Sequence, residues 1–330
     1  MVNKLIDFSD CAVNQLKWYG GANGNKICIM YQDERYMLKF PSHPDKAGLL
    51  SYTNSCISEY LGCHILNVMG IPTQETLLGQ YNGKRVVACK DMETNGFRLR
   101  DFASLKNSVI TSEQAGYGIE LSDVLAAIES QEVISSEDLL NFFWDMFVAD
   151  AFIGNFDRHN GNWGFLVKES TGEVKIAPLF DCGSSLYPRM PEAGMIETMH
   201  NPQMTEDRLF VFPNSAIKVN GKKINYMAFL SEVNEPERLA AICRVASHID
   251  MQKIHSVVNE TPSLTNTERE FYNYMLDQRY EKIILPVWER AKNLEITPTL
   301  NQRIAHATQR AAELNADKTA FAQDAPESQR

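Results

Sequence analysis

The stretch that most restricts what this chain can become spans residues 155–181. It reads NFDRHNGN, then the apolar runs WGFLV and VKIAPLF around the polar turn KESTGE, then DCGSS. Two short apolar runs joined by a polar turn are a β-hairpin signal. Phe165 and Val167 mark one arm, and Val174, Ile176 and Leu179 mark a return arm expected to end at Asp181. Such a hairpin carries Asp181 back beside Asn162, with Asp157 five residues before that amide. A D-x4-N pair is common by chance, so the hairpin and the later Asp carry the information. One carboxylate to orient a hydroxyl, with an amide and a second carboxylate to hold Mg2+ against nucleotide phosphates, is the donor set of phosphoryl transfer.

The residues before this stretch read as a core helix over 136–154. Leu139, Phe143, Met146, Phe147 and Ala151 recur at helical spacing, Ser136 and Asp138 lie near its start, and Gly154 ends it. Residues 1–90 read as β-rich with one helix. KICIMY (26–31) and RYMLKF (35–40) flank the turn QDE, and Thr76–Gln80 and Arg85–Cys89 flank Tyr81-Asn82-Gly83-Lys84, where Asn-Gly is a strong hairpin signal. Ile57, Leu61, Ile65 and Val68 give one face of a helix over 54–69, ended by Gly70 and Pro72.

Lys39 sits inside an apolar strand, where an ammonium is costly without an anion, and nucleotide phosphates would serve. An edge-strand lysine in solvent is the plain alternative. Glu59, on the following helix, either pairs with Lys39 or belongs to a solvated face with Ser58 and Tyr60. The segment Gly20-Gly21-Ala22-Asn23-Gly24-Asn25-Lys26 leads into a strand, which argues against a P-loop and for a phosphate-covering loop between strands. His159 fits a loop-structuring role with a nucleotide contact. Arg158 either neutralises a phosphate or pairs with an acid.

Composition narrows the alternatives. The 330 residues carry a formal charge of −10 and a pI near 5.3, which argues against nucleic acid or an anionic membrane as a partner. Seven scattered cysteines without a C-x-x-C pair speak against a disulfide scaffold or a structural zinc site. The start MVNKLIDFSD lacks an apolar core of signal-peptide length. A soluble bacterial cytoplasmic protein is the expectation, with export to a host without a cleaved signal left open.

After Lys90 the pattern turns helical, with long helices expected over 227–258 and 266–296. Residues 182–214 hold four prolines and four methionines without periodicity and read as a long functional loop, in which Ser184, Ser185, Tyr187 and Thr198 suit autophosphorylation. The expected organisation is an α+β fold of two lobes: a β-rich lobe over 1–90, a helical lobe over 91–315, and a disordered tail over 316–330 rich in Ala, Asp, Gln and Ser.

NFDRHNGNW, PLFDCGSSL and YMLKFP together resemble the HipA-like kinases, and more closely the compact CtkA-type branch, over nearly the whole chain. The segment FPNSAIKVNGKKINY (212–226) is similar to the family as well, without an evident mechanism. The resemblance implies a two-lobed protein-kinase-like fold with ATP and Mg2+ in the cleft. It implies Asp157 as the catalytic base, Asn162 and Asp181 as metal ligands, and Lys39 on the phosphates. The glycine loop and His159 would contact the nucleotide, Glu59 would pair with Lys39, and Cys89-Lys90-Asp91 would be the hinge against adenine. The implied reaction is transfer of the γ-phosphoryl group to Ser/Thr hydroxyls of a protein substrate, with Tyr and autophosphorylation included; a small-molecule phosphotransferase and a nucleotide-binding pseudokinase are the alternatives. The extra N-terminal domain of longer toxin kinases is missing, so an antitoxin partner is not carried over. The glycine loop has no Ser or Thr, the order Asp157-Arg158-His159 inverts His-Arg-Asp, and no D-F-G stands at Asp181.

Overall fold

A computed structural model describes residues 5–20, 26–41, 53–110, 113–232 and 234–294. Two tight hairpins organise the first lobe. In one, β3 (Lys26–Tyr31) returns as β4 (Glu34–Lys39) through Gln32 and Asp33, both at positive φ; in the other, β5 (Thr76–Tyr81) returns as β6 (Lys84–Lys90) through Asn82-Gly83. Positive φ at both central residues is what a two-residue hairpin loop needs to match strand twist. With β1 (Ile6–Asp7) and β2 (Ala12–Val13), they form a six-stranded sheet in the order β1-β5-β6-β4-β3-β2.

Strand alternation buries both faces of this sheet. Ile29, Leu38, Val86 and Ala88 close with Phe8 on one side, while Leu78, Val87 and Cys89 meet Cys56 of α1 (Ser55–Val68) on the other. The expected face of α1 is buried: Ile57, Leu61 and Ile65 belong to the large core of the helical lobe. Each such aliphatic contributes about 1.5–3 kcal/mol when fully buried. The helix thus ties the sheet to the rest of the molecule.

The second lobe departs from the sequence reading in several places. It begins with a strand, β7 (Phe97–Asp101), which joins the hairpin β8 (Gly164–Lys168) and β9 (Glu173–Ile176) in a three-stranded sheet. Alternating Phe97 and Leu99 supply a period of two that the helical reading passed over. The return arm ends at Ile176, five residues short of Asp181, because Pro178 has no N–H for the ladder.

Helices α2 (Phe102–Val109), α3 (Leu121–Ser130) and α4 (Ser136–Ile153) follow. The last is capped by Ser135 and stopped by Gly154 in the left-handed region at φ 67°. Residues 182–214 are largely ordered as α5 (Glu192–His200), α6 (Pro202–Glu206) and one π-helical turn, Asp207–Val211. The segment 212–226 is a hairpin of β10 (Asn214–Val219) and β11 (Lys222–Asn225) closed by Asn220-Gly221.

The expected 227–258 helix is three: α7 (Tyr226–Ser231), α8 (Pro236–Ala246) and α9 (Met251–Glu260). Pro236 starts one and the Asp250 cap starts another, each favouring a new helix over a continued one. The 266–296 helix divides into α10 (Asn266–Arg279) and α11 (Leu285–Asn293) around a π-helical turn, with Pro286 in the first turn of α11. Residues 295–330, including the expected tail, lie outside the described residues.

Candidate active site

A cleft of about 810 Å³ opens between the six-stranded sheet and the helical lobe. Lys39, Glu59, Asp157, His159, Asn162 and Asp181 all line it. The Lys39 ammonium lies 3.0 Å from Glu59 Oε1 and 3.1 Å from Asp181 Oδ1. That settles both local alternatives: Lys39 is an interior lysine, and Glu59, 1% exposed, is its partner. Burial pushes the Lys39 ammonium toward the neutral form, but the Asp181 and Glu59 carboxylates outweigh it and hold the pKa well above the ordinary lysine value. Lys39 in turn holds the Asp181 carboxyl below its usual range, against the opposing effect of burial.

The loop after α4 is wired from within. Asn155 Oδ1 accepts the Asp157 N–H at 3.1 Å, and the Asn162 amide donates to the Asp157 carbonyl at 2.9 Å. With its NH2 group so engaged, Asn162 keeps Oδ1 as the atom available to a cation. His159 Nδ1 accepts the Gly161 N–H at 3.0 Å, the loop-structuring role expected of it. Asp157 is half-buried; desolvation raises its carboxyl pKa above the ordinary value, Asp181 adds to the rise, and His159 and Lys223 oppose it.

Arg158 pairs with an acid. Its guanidinium is 2% exposed and makes a forked contact with Asp150 of α4, Nε to Oδ2 at 2.8 Å and Nη2 to Oδ1 at 3.2 Å. Nη1 also donates to the carbonyls of Asn162, at 2.7 Å, and Phe180. One side chain therefore joins α4, the loop and the approach to Asp181. Asp181 itself stands at φ 59°, a left-handed conformation that swings the chain away from the hairpin arm. Leu179 leaves that arm to bond Pro72 and Gln74, and an added Cβ at Gly183 would stand 3.1 Å from Glu59 Oε2.

Of the expected hinge, Asp91 lines the cleft, followed by Met92 and Glu93, whereas Cys89 is a fully buried strand residue behind Glu59 and does not line it. The Asp91 carboxylate is taken up by Arg35 Nε at 3.3 Å, the Tyr19 hydroxyl at 3.2 Å and the Glu93 N–H at 2.9 Å. Of the glycine segment, Gly20 lines the cleft and its carbonyl accepts from Lys26; Gly21, Ala22, Asn23 and Gly24 lie outside the described residues.

Lys26 is a lining residue that the sequence reading left without a role. It faces Lys39 directly across the β3–β4 ladder, and burial together with Lys39 lowers its pKa. Its signal was available: a two-residue turn at Gln32-Asp33 dictates that register. Asp150 was missed too, although an acid inside the apolar run FVADAFI calls for a buried cation. Of the proposed phosphoacceptors, Ser185 and Thr198 are fully buried, the Tyr187 hydroxyl is held by Arg208 and Arg279, and Ser184 lines the cleft.

A curled sheet over a helical lobe, with a paired lysine and two acids in the cleft between, defines a protein-kinase-like fold. The family profile for the HipA-like C-terminal domain matches residues 18–261. The serine/threonine-protein kinase CtkA of Helicobacter pylori (strain J99) is 49% identical over 292 residues, covering 88% of this chain and 90% of that protein. The crystal structure of a Helicobacter pylori proinflammatory kinase CtkA superposes with a TM-score of 0.85 at 48% identity, over 89% of this chain and all of that one. HipA of Shewanella oneidensis MR-1, solved with HipB and operator DNA, aligns over 82% of this chain and 68% of its own, with a TM-score of 0.47 and 14% identity. The chain belongs to the HipA-like kinase family.

Proposed function

We propose that this chain is an ATP- and Mg2+-dependent protein kinase that transfers the γ-phosphoryl group to Ser/Thr hydroxyls, its own included. The observation that carries this reading is the convergence of Lys39, of Asp157 and Asn162 on one loop, and of Asp181, from three separate segments, on one cleft. Asp157, with its raised pKa, orients the acceptor hydroxyl and takes up its proton. Lys39, held charged by Glu59 and Asp181, is placed to meet the nucleotide phosphates, with Lys26 beside it. Asn162 Oδ1 and the Asp181 carboxylate would hold Mg2+. Two protein oxygens suit a cation that keeps water and phosphate oxygens for its other positions. Held by these two side chains, Mg2+ would supply positive charge against the charge that develops on the phosphates. The backbone of Asp91–Glu93 would receive the adenine, since the Asp91 carboxylate is already engaged.

The test is transfer of label from γ-labelled ATP with Mg2+ to a generic protein substrate and to the chain itself, beside Asp157→Ala. The expected result is label with the natural chain and its loss in the variant. Label that persists in Asp157→Ala refutes the assignment of Asp157. Absence of label from both refutes the kinase reading.

A further inference from the structure

The hairpin β10–β11 stands beside Asp157 without lining the nucleotide cleft. Its end is fixed there: the Tyr226 hydroxyl donates to the Asn155 carbonyl at 2.6 Å, and Asn155 Oδ1 in turn accepts the Asp157 N–H. The other end is held by Glu120, whose carboxylate accepts the N–H groups of Asn220 and Gly221 in the turn. Ile217 and Ile224 anchor the hairpin in the core, and Lys222 and Lys223 remain exposed.

The register puts Lys218 opposite Lys223, so both side chains share one face of the hairpin; Lys222 pairs with Val219 on the other face. Like charges directly opposite each other are destabilising, and among the described residues neither Lys218 nor Lys223 makes a salt bridge that would relieve them. Tyr226 directly follows β11, so the strand that carries Lys223 is tied through Asn155 to the loop of Asp157. Across the loop, the Arg189 guanidinium lies 6.0 Å from the ring of Phe156, the residue before Asp157. A chain of net charge −10 thus carries two facing lysines on a hairpin tied to the loop of its candidate catalytic acid.

We infer that the Lys218–Lys223 face of this hairpin is a docking ledge for the protein acceptor, selecting Ser/Thr sites flanked by acidic side chains. This rests on the kinase reading above and names its substrate class. An acidic acceptor would relieve the repulsion between the two lysines and bring its hydroxyl to Asp157. The hairpin supplies selection at the acceptor side, while Lys39 and Lys26 serve the phosphates inside the cleft.

The experiment compares two peptide libraries with a central Ser, one with Asp/Glu and one with Lys/Arg at the flanking positions, using the full-length chain. The natural chain should phosphorylate the acidic library with the higher kcat/KM. Exposed charge pairs are worth roughly threefold each, so Lys218→Ala/Lys223→Ala should lower the acidic-to-basic ratio about tenfold. Lys218→Glu/Lys223→Glu should invert the preference, which a merely damaged enzyme would not do. Lys222→Ala, on the opposite face, should leave the ratio unchanged. A natural chain that favours the basic library, or a charge reversal that raises the KM for ATP while sparing the ratio, overturns the inference. No label on either library, with label on the chain itself, overturns the ledge and leaves phosphoryl transfer standing. No label anywhere overturns both.

Discussion

Arg158→Met separates a structural arginine from one that serves phosphates. In the natural chain the guanidinium sits 2.8 Å from Asp150 Oδ2, and the Asp150 side chain is 1% exposed. Removing the cation leaves that carboxylate with the Asn155 amide, at 3.1 Å, as its side-chain donor. The carbonyls of Asn162 and Phe180 lose a donor at the same time. Stranding one member of a buried ion pair costs about 3–5 kcal/mol. In a domain of this size each kcal/mol moves Tm by about 2–4 °C, so a fall on the order of 10 °C is expected. Urea denaturation gives the free energy, and the double variant Asp150→Asn/Arg158→Met closes the cycle. With the stranded charge removed, the double variant should lose less than the sum of the single variants, with a coupling of about 1–3 kcal/mol. A loss below about 1 kcal/mol in Arg158→Met, with phosphoryl transfer abolished, would refute the clamp and return Arg158 to the phosphates.

Lys39→Met removes the cation between Glu59 and Asp181 and should lower kcat roughly 100-fold or more; a loss under about fivefold contradicts its phosphate role. Gly154→Ala forces a side chain into the left-handed cap, where an ideal Cβ would stand 2.1 Å from Arg279 Nη1. A destabilisation of at least about 1–3 kcal/mol by urea denaturation is expected. His64 is half-buried, and desolvation lowers its pKa from 6.5 despite the carbonyl of Thr76. Below pH 6.5 the unfolded chain therefore binds a proton that the folded chain resists, and stability falls with pH until the folded pKa is passed. Urea midpoints at pH 7.5 and 5.5 measure the fall, and His64→Gln should reduce it.

What could be read from the chain was local or set by register. The Gln32-Asp33 and Asn82-Gly83 turns specify their hairpins, and the 3.6-residue spacing of Ile57, Leu61 and Ile65 specifies α1 before any partner is known. The opening stretch expected Asn162 and Asp181 to share a site by way of a continuous hairpin; both line one cleft, but by another route. A strand running on to Asp181 would have continued the ladder. Pro178 ends the pairing, and Asp181 then reaches its place through a left-handed turn held by Lys39 and by the Arg158 bond to Phe180. Those contacts span 142 and 22 residues of sequence and obey no period. The same holds for Asp150 with Arg158: the burial of an acid in α4 is legible, but its partner appears only when the loop folds back eight residues later. Lys223 is the extreme case. Nothing within 214–225 distinguishes its lysines from a solvated turn, and their meaning comes from Tyr226, which pins the hairpin to Asn155 and so to the loop of Asp157. Functional residues of this kind are positioned by tertiary contacts, so they become readable only after the anchor is seen.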